Sequence, residues 1–274
     1  MSKPSYAIYT LGCKVNQYDS GRLAQLLEKR GFVAAEQGAD LVIVNTCAVT
    51  QIAIRKGRQI FNAAKQKNPG AKLVLAGCWP KVYGSQVISA DLVYDSKDWS
   101  GLIKEVEHWF KSKPVNQDCG FLSLNQDRAR YFLKIQDGCN QFCSYCVIPY
   151  ARGLLRSRKE AEIIKEIRQA LKVGYREIVL SGIHLGRYGQ DLGSDLLSLL
   201  KKILAIKKDF RIRLSSIEVN EVDDELLSLM VKDRRLCRHL HIPLQSGSDR
   251  ILKLMNRPYT QKFFSQRIKT IKKL

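Results

Sequence analysis

The stretch YFLKIQDGCNQFCSYC, residues 131–146, decides the fold of the second half of this chain. YFLKIQ (131–136) reads as a strand, and it runs directly into a loop with the spacing C-x3-C-x2-C: Cys139, Cys143 and Cys146. Three thiolates on one loop can ligate three irons of a four-iron cluster. No further cysteine follows until Cys237, so the fourth iron stays open. An open metal position is where a substrate binds and reacts, by the same logic as an open zinc site. The alternatives are zinc and chance spacing. A structural zinc wants four ligands, and no local His or Cys completes the set.

Downstream of this loop, strand-like and helix-like segments alternate. A helix over about 159–173 buries Ile163, Ile167, Ala170 and Leu171 at helical spacing, and Gly174 ends it. Strands are predicted over 177–181, 210–215 and 238–242, with helices near 195–206, 223–231 and 260–274. Such a β/α repeat fits a barrel or partial barrel. Upstream, strands are predicted over 6–10, 40–45, 72–76 and, more weakly, 92–94. Helices are predicted over about 19–30, 50–68 and 99–110. This alternation implies a parallel sheet covered by helices. Between the halves, KSKPVNQDCG loses all periodicity. The chain is therefore expected to be α/β, with a first domain over 1–118, a linker over 119–129 and a second domain over 130–274.

The 274 residues, 45% of them hydrophobic, suffice to bury two cores. No secretion signal and no apolar run of about 18 residues is present, so a cytoplasmic protein without a membrane span is expected. The 46 Lys and Arg residues against 26 Asp and Glu give a formal charge of +20, which favours a polyanionic partner such as nucleic acid. Eight cysteines in a chain of this length read as metal or catalytic residues rather than as a disulfide framework.

Cys13, Cys47 and Cys78 each lie just beyond a predicted strand, in YTLGC, VNTC and LAGC. Loops after parallel strands gather along one sheet edge, so these three can converge although they are far apart in sequence. Three separate buried thiols are the plainer reading. Cys119 and Cys237 read as ordinary thiols, and His239 with His241 lack a third metal ligand. Arg152, Arg156 and Arg158 follow the cysteine loop and are candidates for RNA phosphate contacts or a solvated loop.

TLGCKVNQYDS (10–20), NTCAVT (45–50), LAGC (75–78), DGCNQFCSYCVIPYARG (137–153), SGIHLGRYG (181–189), RLSSIE (213–218) and HIPLQSGSD (241–249) together resemble the methylthiotransferase family of radical S-adenosylmethionine (SAM) enzymes. GCKVNQ, NTCAVT and YCVIPYARG look most like the branch acting on N6-threonylcarbamoyladenosine in tRNA. The resemblance implies two [4Fe-4S] clusters, one on Cys139, Cys143 and Cys146 that binds SAM and one on Cys13, Cys47 and Cys78. It implies a 5′-deoxyadenosyl radical that takes hydrogen from carbon 2 of the adenine beside the anticodon. The second cluster then supplies or presents sulfur, and a second SAM supplies the methyl group. Tyr145 is expected by the SAM adenine, and the 181–186 segment, with Ser181 and Gly182, along its amino-acid end. Ser216, Glu218 and Gln245 are expected at the same site. The implied partners are the tRNA anticodon stem-loop and an electron donor such as flavodoxin or ferredoxin. The family's radical domain has six strands and is followed by a small RNA-binding domain, TRAM. Four strands are counted here before Leu274, so the last two strands and TRAM are expected to be absent. The rivals are another branch, acting on isopentenyladenosine in tRNA or on a ribosomal protein, and a non-catalytic, zinc-stabilised RNA-binding module.

Overall fold

The computed structural model describes residues 3–84, 89–94, 99–112 and 129–273. The chain forms two compact units, Met1–Gln126 with Tyr150–Arg152, and Asp127–Pro149 with Gly153–Leu274. Apart from Ala129, the expected linker lies outside the described residues, as does Cys119.

The first unit contains β1 (Ser5–Thr10), α1 (Lys14–Glu28), β2 (Val33–Ala34), β3 (Leu41–Thr46), α2 (Gln51–Lys67), β4 (Lys72–Gly77), α3 (Cys78–Tyr83), β5 (Leu92–Tyr94) and α4 (Trp99–Phe110). Its five strands are all parallel, in the order β2-β1-β3-β4-β5. Central β3, LVIVNT, is buried along its whole length, the near-continuous apolar run expected of a strand covered on both faces. Leu41 and Ile43 pack with Leu23 and Leu27 of α1 and with Leu102, Ile103 and Val106 of α4. The alternate residues Val42 and Val44 point to the other face. There α2, packed on β3, buries Ile54, Phe61 and Ala64. Thr50 starts α2 by accepting the Ala53 N–H at 3.1 Å, as an N-cap should.

Helix α1 begins at Lys14, directly after Cys13, and not near residue 19 as expected. Val15 and Tyr18 extend its buried stripe toward the N-terminus. Asn16 fastens this first turn by donating to the carbonyls of Leu11 and Thr46 at 2.8 and 3.0 Å. The short helix α3, also unforeseen, starts at Cys78 itself.

The second unit contains β6 (Arg130–Lys134), β7 (Gln136–Asp137), β8 (Arg156–Ser157), α6 (Glu160–Val173), β9 (Glu177–Ser181), α7 (Leu196–Leu204), β10 (Arg211–Leu214), α8 (Asp224–Lys232), α9 (Asp249–Leu254) and α10 (Gln261–Lys272), while the short helix α5 (Ile148–Arg152) is divided, Tyr150–Arg152 belonging to the first unit. Strands β6, β9 and β10 form a parallel sheet in the order β10-β9-β6. Antiparallel β7 and β8 close the base of the cysteine loop. The expected strand over 238–242 is not one. Two single bridges, Ile212 with Leu236 and Ser216 with His241, join that segment to the edge of β10. Between them the His239 N–H turns to the Cys237 carbonyl at 2.7 Å, which takes it out of any ladder. Among the described residues no helix is long and apolar enough to cross a membrane.

Candidate functional site

The cysteine loop is fixed at its entrance by Gln136, whose side-chain amide donates to the carbonyls of Asp137 and Gly138 at 2.9 and 2.7 Å. Gly138 has φ +70, and a Cβ there would stand 2.0 Å from the Leu154 carbonyl oxygen. Only glycine fits both the left-handed backbone and the close crossing of Gly153–Leu154. Gly138→Ala is expected to destabilise the chain by at least about 2 kcal/mol and to impair cluster loading, measurable by urea unfolding and iron content. The far side of the loop is clamped by the turn after α9. Asn256 donates to the Gln141 and Phe142 carbonyls at 3.2 and 3.1 Å, and the Ser144 hydroxyl donates to the Leu254 carbonyl at 2.7 Å.

Cys139 and Cys143 are buried and Cys146 is half-buried. Cys143 and Cys139 both act on the Cys146 thiol and raise its pKa. Burial opposes ionisation of Cys139. The His184 ring, 3.2 Å from its sulfur, and the Gln141 N–H at 3.4 Å outweigh this and lower its pKa. At Cys146, burial and the neighbouring thiols push the pKa up, and the hydrogen bond from the Ile148 backbone only partly offsets them. Arg257 reaches Cys143 at 3.3 Å while paired with Glu218 and lying over the Tyr259 ring. Three thiols on one pinned loop, set among cationic side chains, match the donors that an anionic iron–sulfur cluster requires.

His184 is 7% exposed, and its other ring nitrogen lies 2.5 Å from Glu221. Burial disfavours the charged imidazolium, but the contacts with Cys139 and Glu221 push its pKa up to about 9. His184, Glu221 and Arg257 were missed in the sequence. The position of SGIHLG immediately after a strand was the available signal for His184, whereas Glu221 and Arg257 arrive from distant segments.

The remaining expected residues are placed as follows. The Ser181 hydroxyl donates to the Leu133 carbonyl at 3.1 Å and ties β9 to β6. At Gly182 a Cβ would stand 2.8 Å from the Gln136 side-chain oxygen. Ser216 lies 2.7 Å from the His241 ring, Glu218 is paired with Arg257, and Gln245 is exposed with φ +62. Tyr145 is 52% exposed and feels the charge of Arg257, Cys143 and Cys146.

In the first unit, Cys13, Cys47 and Cys78 follow the C-terminal ends of β1, β3 and β4, which are adjacent strands. A Cβ on Gly12 would stand 3.2 Å from the Cys47 sulfur, and Cys78 is influenced electrostatically by both other cysteines. Burial raises the pKa of Cys47 and of Cys78, and Arg152 partly offsets this in each. Arg152 corrects an expectation. It is 5% exposed, within the first unit, bonded to Asn16 and 3.3 Å from Asp19. It is thus not exposed to nucleic acid. Arg158 is likewise paired with Glu166 at 2.7 Å, whereas Arg156 is exposed. No three His, Cys, Asp or Glu among the described residues stand close enough to share a single metal ion.

A parallel β/α unit whose first strand feeds a C-x3-C-x2-C loop has the layout of a radical SAM domain. The chain belongs to the radical SAM superfamily, whose pattern matches residues 133–274. Residues 5–96 match the uncharacterized protein family UPF0004. Within this class the chain is 38% identical to the threonylcarbamoyladenosine tRNA methylthiotransferase MtaB of Bacillus subtilis, over 97% of this chain and 63% of that protein. It is 33% identical to the tRNA-2-methylthio-N(6)-dimethylallyladenosine synthase of Carboxydothermus hydrogenoformans, over 99% of this chain and 67% of that protein. The chain thus spans about two thirds of the length of these relatives. Among solved structures it is similar to TsrM, a radical SAM methyltransferase from Kitasatospora setae. The TM-score is 0.64 at 14% identity, covering 100% of this chain and 67% of TsrM, and it shows the shared fold alone.

Proposed function

We propose that this chain carries the catalytic domains of a tRNA methylthiotransferase that converts N6-threonylcarbamoyladenosine beside the anticodon to its 2-methylthio derivative. The reading rests above all on the pinned loop of Cys139, Cys143 and Cys146, and it is supported by the higher identity to the threonylcarbamoyladenosine relative than to the dimethylallyladenosine one. Residues 130–274 form the radical domain, residues 1–118 the auxiliary domain, and 119–129 join them. Cys139, Cys143 and Cys146 would hold a [4Fe-4S] cluster that takes SAM, and Cys13, Cys47 and Cys78 would hold a second. When bound, these groups supply the electron, the radical and the sulfur, chemistry that side chains alone lack.

The chain's own residues bind and orient. Gln136, Asn256 and Ser144 hold the loop. Tyr145, Ser216 and Gln245 are exposed and available to SAM, while Ser181, Gly182 and Glu218 shape the site through the contacts they make within the protein. The anticodon stem-loop is the macromolecular partner, drawn by the +20 charge. A flavodoxin or ferredoxin delivers electrons in the cytoplasm. Expression in a bacterial strain deleted for its own threonylcarbamoyladenosine methylthiotransferase tests this. Mass spectrometry of digested tRNA should recover 2-methylthio-N6-threonylcarbamoyladenosine. A methylthiolated isopentenyladenosine instead would reassign the branch, and zinc in place of iron in the purified protein would reject the enzyme.

A further inference from the structure

His184 lies between two groups that attract protons. Its Nδ1 is 3.2 Å from the Cys139 sulfur and its Nε2 is 2.5 Å from a Glu221 carboxylate oxygen. The ring cannot easily leave this position. Its backbone N–H donates to the Gln136 side chain at 2.8 Å, and the amide end of that side chain holds the carbonyls of Asp137 and Gly138, the two residues before Cys139. Strand β9 therefore delivers the imidazole, and one glutamine side chain ties it to the backbone that delivers the sulfur. Glu221 is fixed as firmly. It closes a capping box with Glu218 around the 3-10 turn Val219–Glu221 and lies 3.6 Å from Arg187. Gly186 makes room for it, since a Cβ there would stand 2.1 Å from the carboxylate. A carboxylate beside the second ring nitrogen is how proteins commonly orient a histidine at a metal site, and the two atoms here meet as an ion pair without hydrogen-bond geometry. Here, however, the imidazole faces a ligand sulfur.

We propose that His184 is a positioning residue that donates a hydrogen bond to the sulfur of Cys139, is oriented by Glu221, and thereby raises the reduction potential of the cluster on the Cys139 loop. The inference rests on the assignment of that loop as the cluster site. Reduction adds negative charge that spreads onto the sulfurs, and a hydrogen bond to a sulfur stabilises that charge. A donor fixed behind one ligand tunes the cluster without occupying the open iron.

The test uses the anaerobically reconstituted chain with Cys13, Cys47 and Cys78 replaced by alanine, so that a single cluster is titrated. Iron content comes first. About four irons per chain upholds the loop assignment, and none rejects it, independently of His184. Redox titration followed by electron paramagnetic resonance then compares His184 with His184→Phe, which keeps a ring but has no donor, and His184→Gln, which keeps an N–H donor without the ring. The proposal expects His184→Phe to lower the ratio of reduced to oxidised cluster at a fixed potential about tenfold, equivalent to a shift of about 59 mV for one electron. His184→Gln should stay nearer to the parent. An exchangeable proton coupled to the reduced cluster should vanish in His184→Phe. A His184→Phe variant at the parent potential, a His184→Gln variant shifted as far as His184→Phe, or a nitrogen bonded directly to iron would overturn the proposal. If His184→Phe loads no cluster, His184→Leu, which also lacks a donor, takes its place in the same comparison.

Discussion

Replacing Cys139, Cys143 and Cys146 together by alanine is expected to lower the iron of the reconstituted chain from about eight to about four atoms and to abolish reductive cleavage of SAM. The loss should exceed the 10–100-fold cost typical of disturbing residues that only support a metal ligand. The loop holds its shape through Gln136, Gly138, Ser144 and Asn256, none of which is a cysteine. The triple variant should therefore remain folded, with a circular dichroism spectrum close to the parent. The reciprocal replacement of Cys13, Cys47 and Cys78 should also remove about half the iron but leave SAM cleavage measurable. Iron and acid-labile sulfide assays, with chromatographic detection of 5′-deoxyadenosine, check both. Full iron in the first variant would mean that the loop is not the cluster site.

Asp19→Ala is expected to destabilise the first unit by about 3–5 kcal/mol, because it leaves the Arg152 guanidinium buried without its carboxylate. The two side chains are 12% and 6% exposed, so water cannot replace the lost partner. Changing both residues, as Asp19→Leu with Arg152→Met, should cost much less than the single change, since no charge is then left to bury. Chemical denaturation of the parent, Asp19→Leu, Arg152→Met and the double variant gives the coupling. Equal losses in the single and double variants would show that the pair contributes through packing alone. The same burial hands any role in contacting RNA phosphate to the exposed Arg156.

Helices α2, α4, α6 and α7 were legible because each has an apolar stripe at helical period, with Thr50 before α2 and Gly174 after α6 as recognisable ends. β3 and β9 were legible as short apolar runs between polar turns. The start of α1 was not, since Cys13 at its N-cap makes no capping bond, and its first turn is held by Asn16 reaching the carbonyls of Leu11 and Thr46. The segment over 238–242 alternates like a strand, yet a local bond between His239 and Cys237 interrupts its pairing.

By itself the sequence determined the two β/α patterns and the cysteine spacing, because hydrophobic period and ligand spacing are local and written in consecutive residues. Only the tertiary structure decided that Arg152 is buried against Asp19, 133 residues away, and not on the surface. It also decided that His184 and Glu221 stand behind Cys139. Charge and polarity say that such residues need partners. Which partners they find depends on how strand ends and turns distant in sequence are brought together, and no local pattern encodes that.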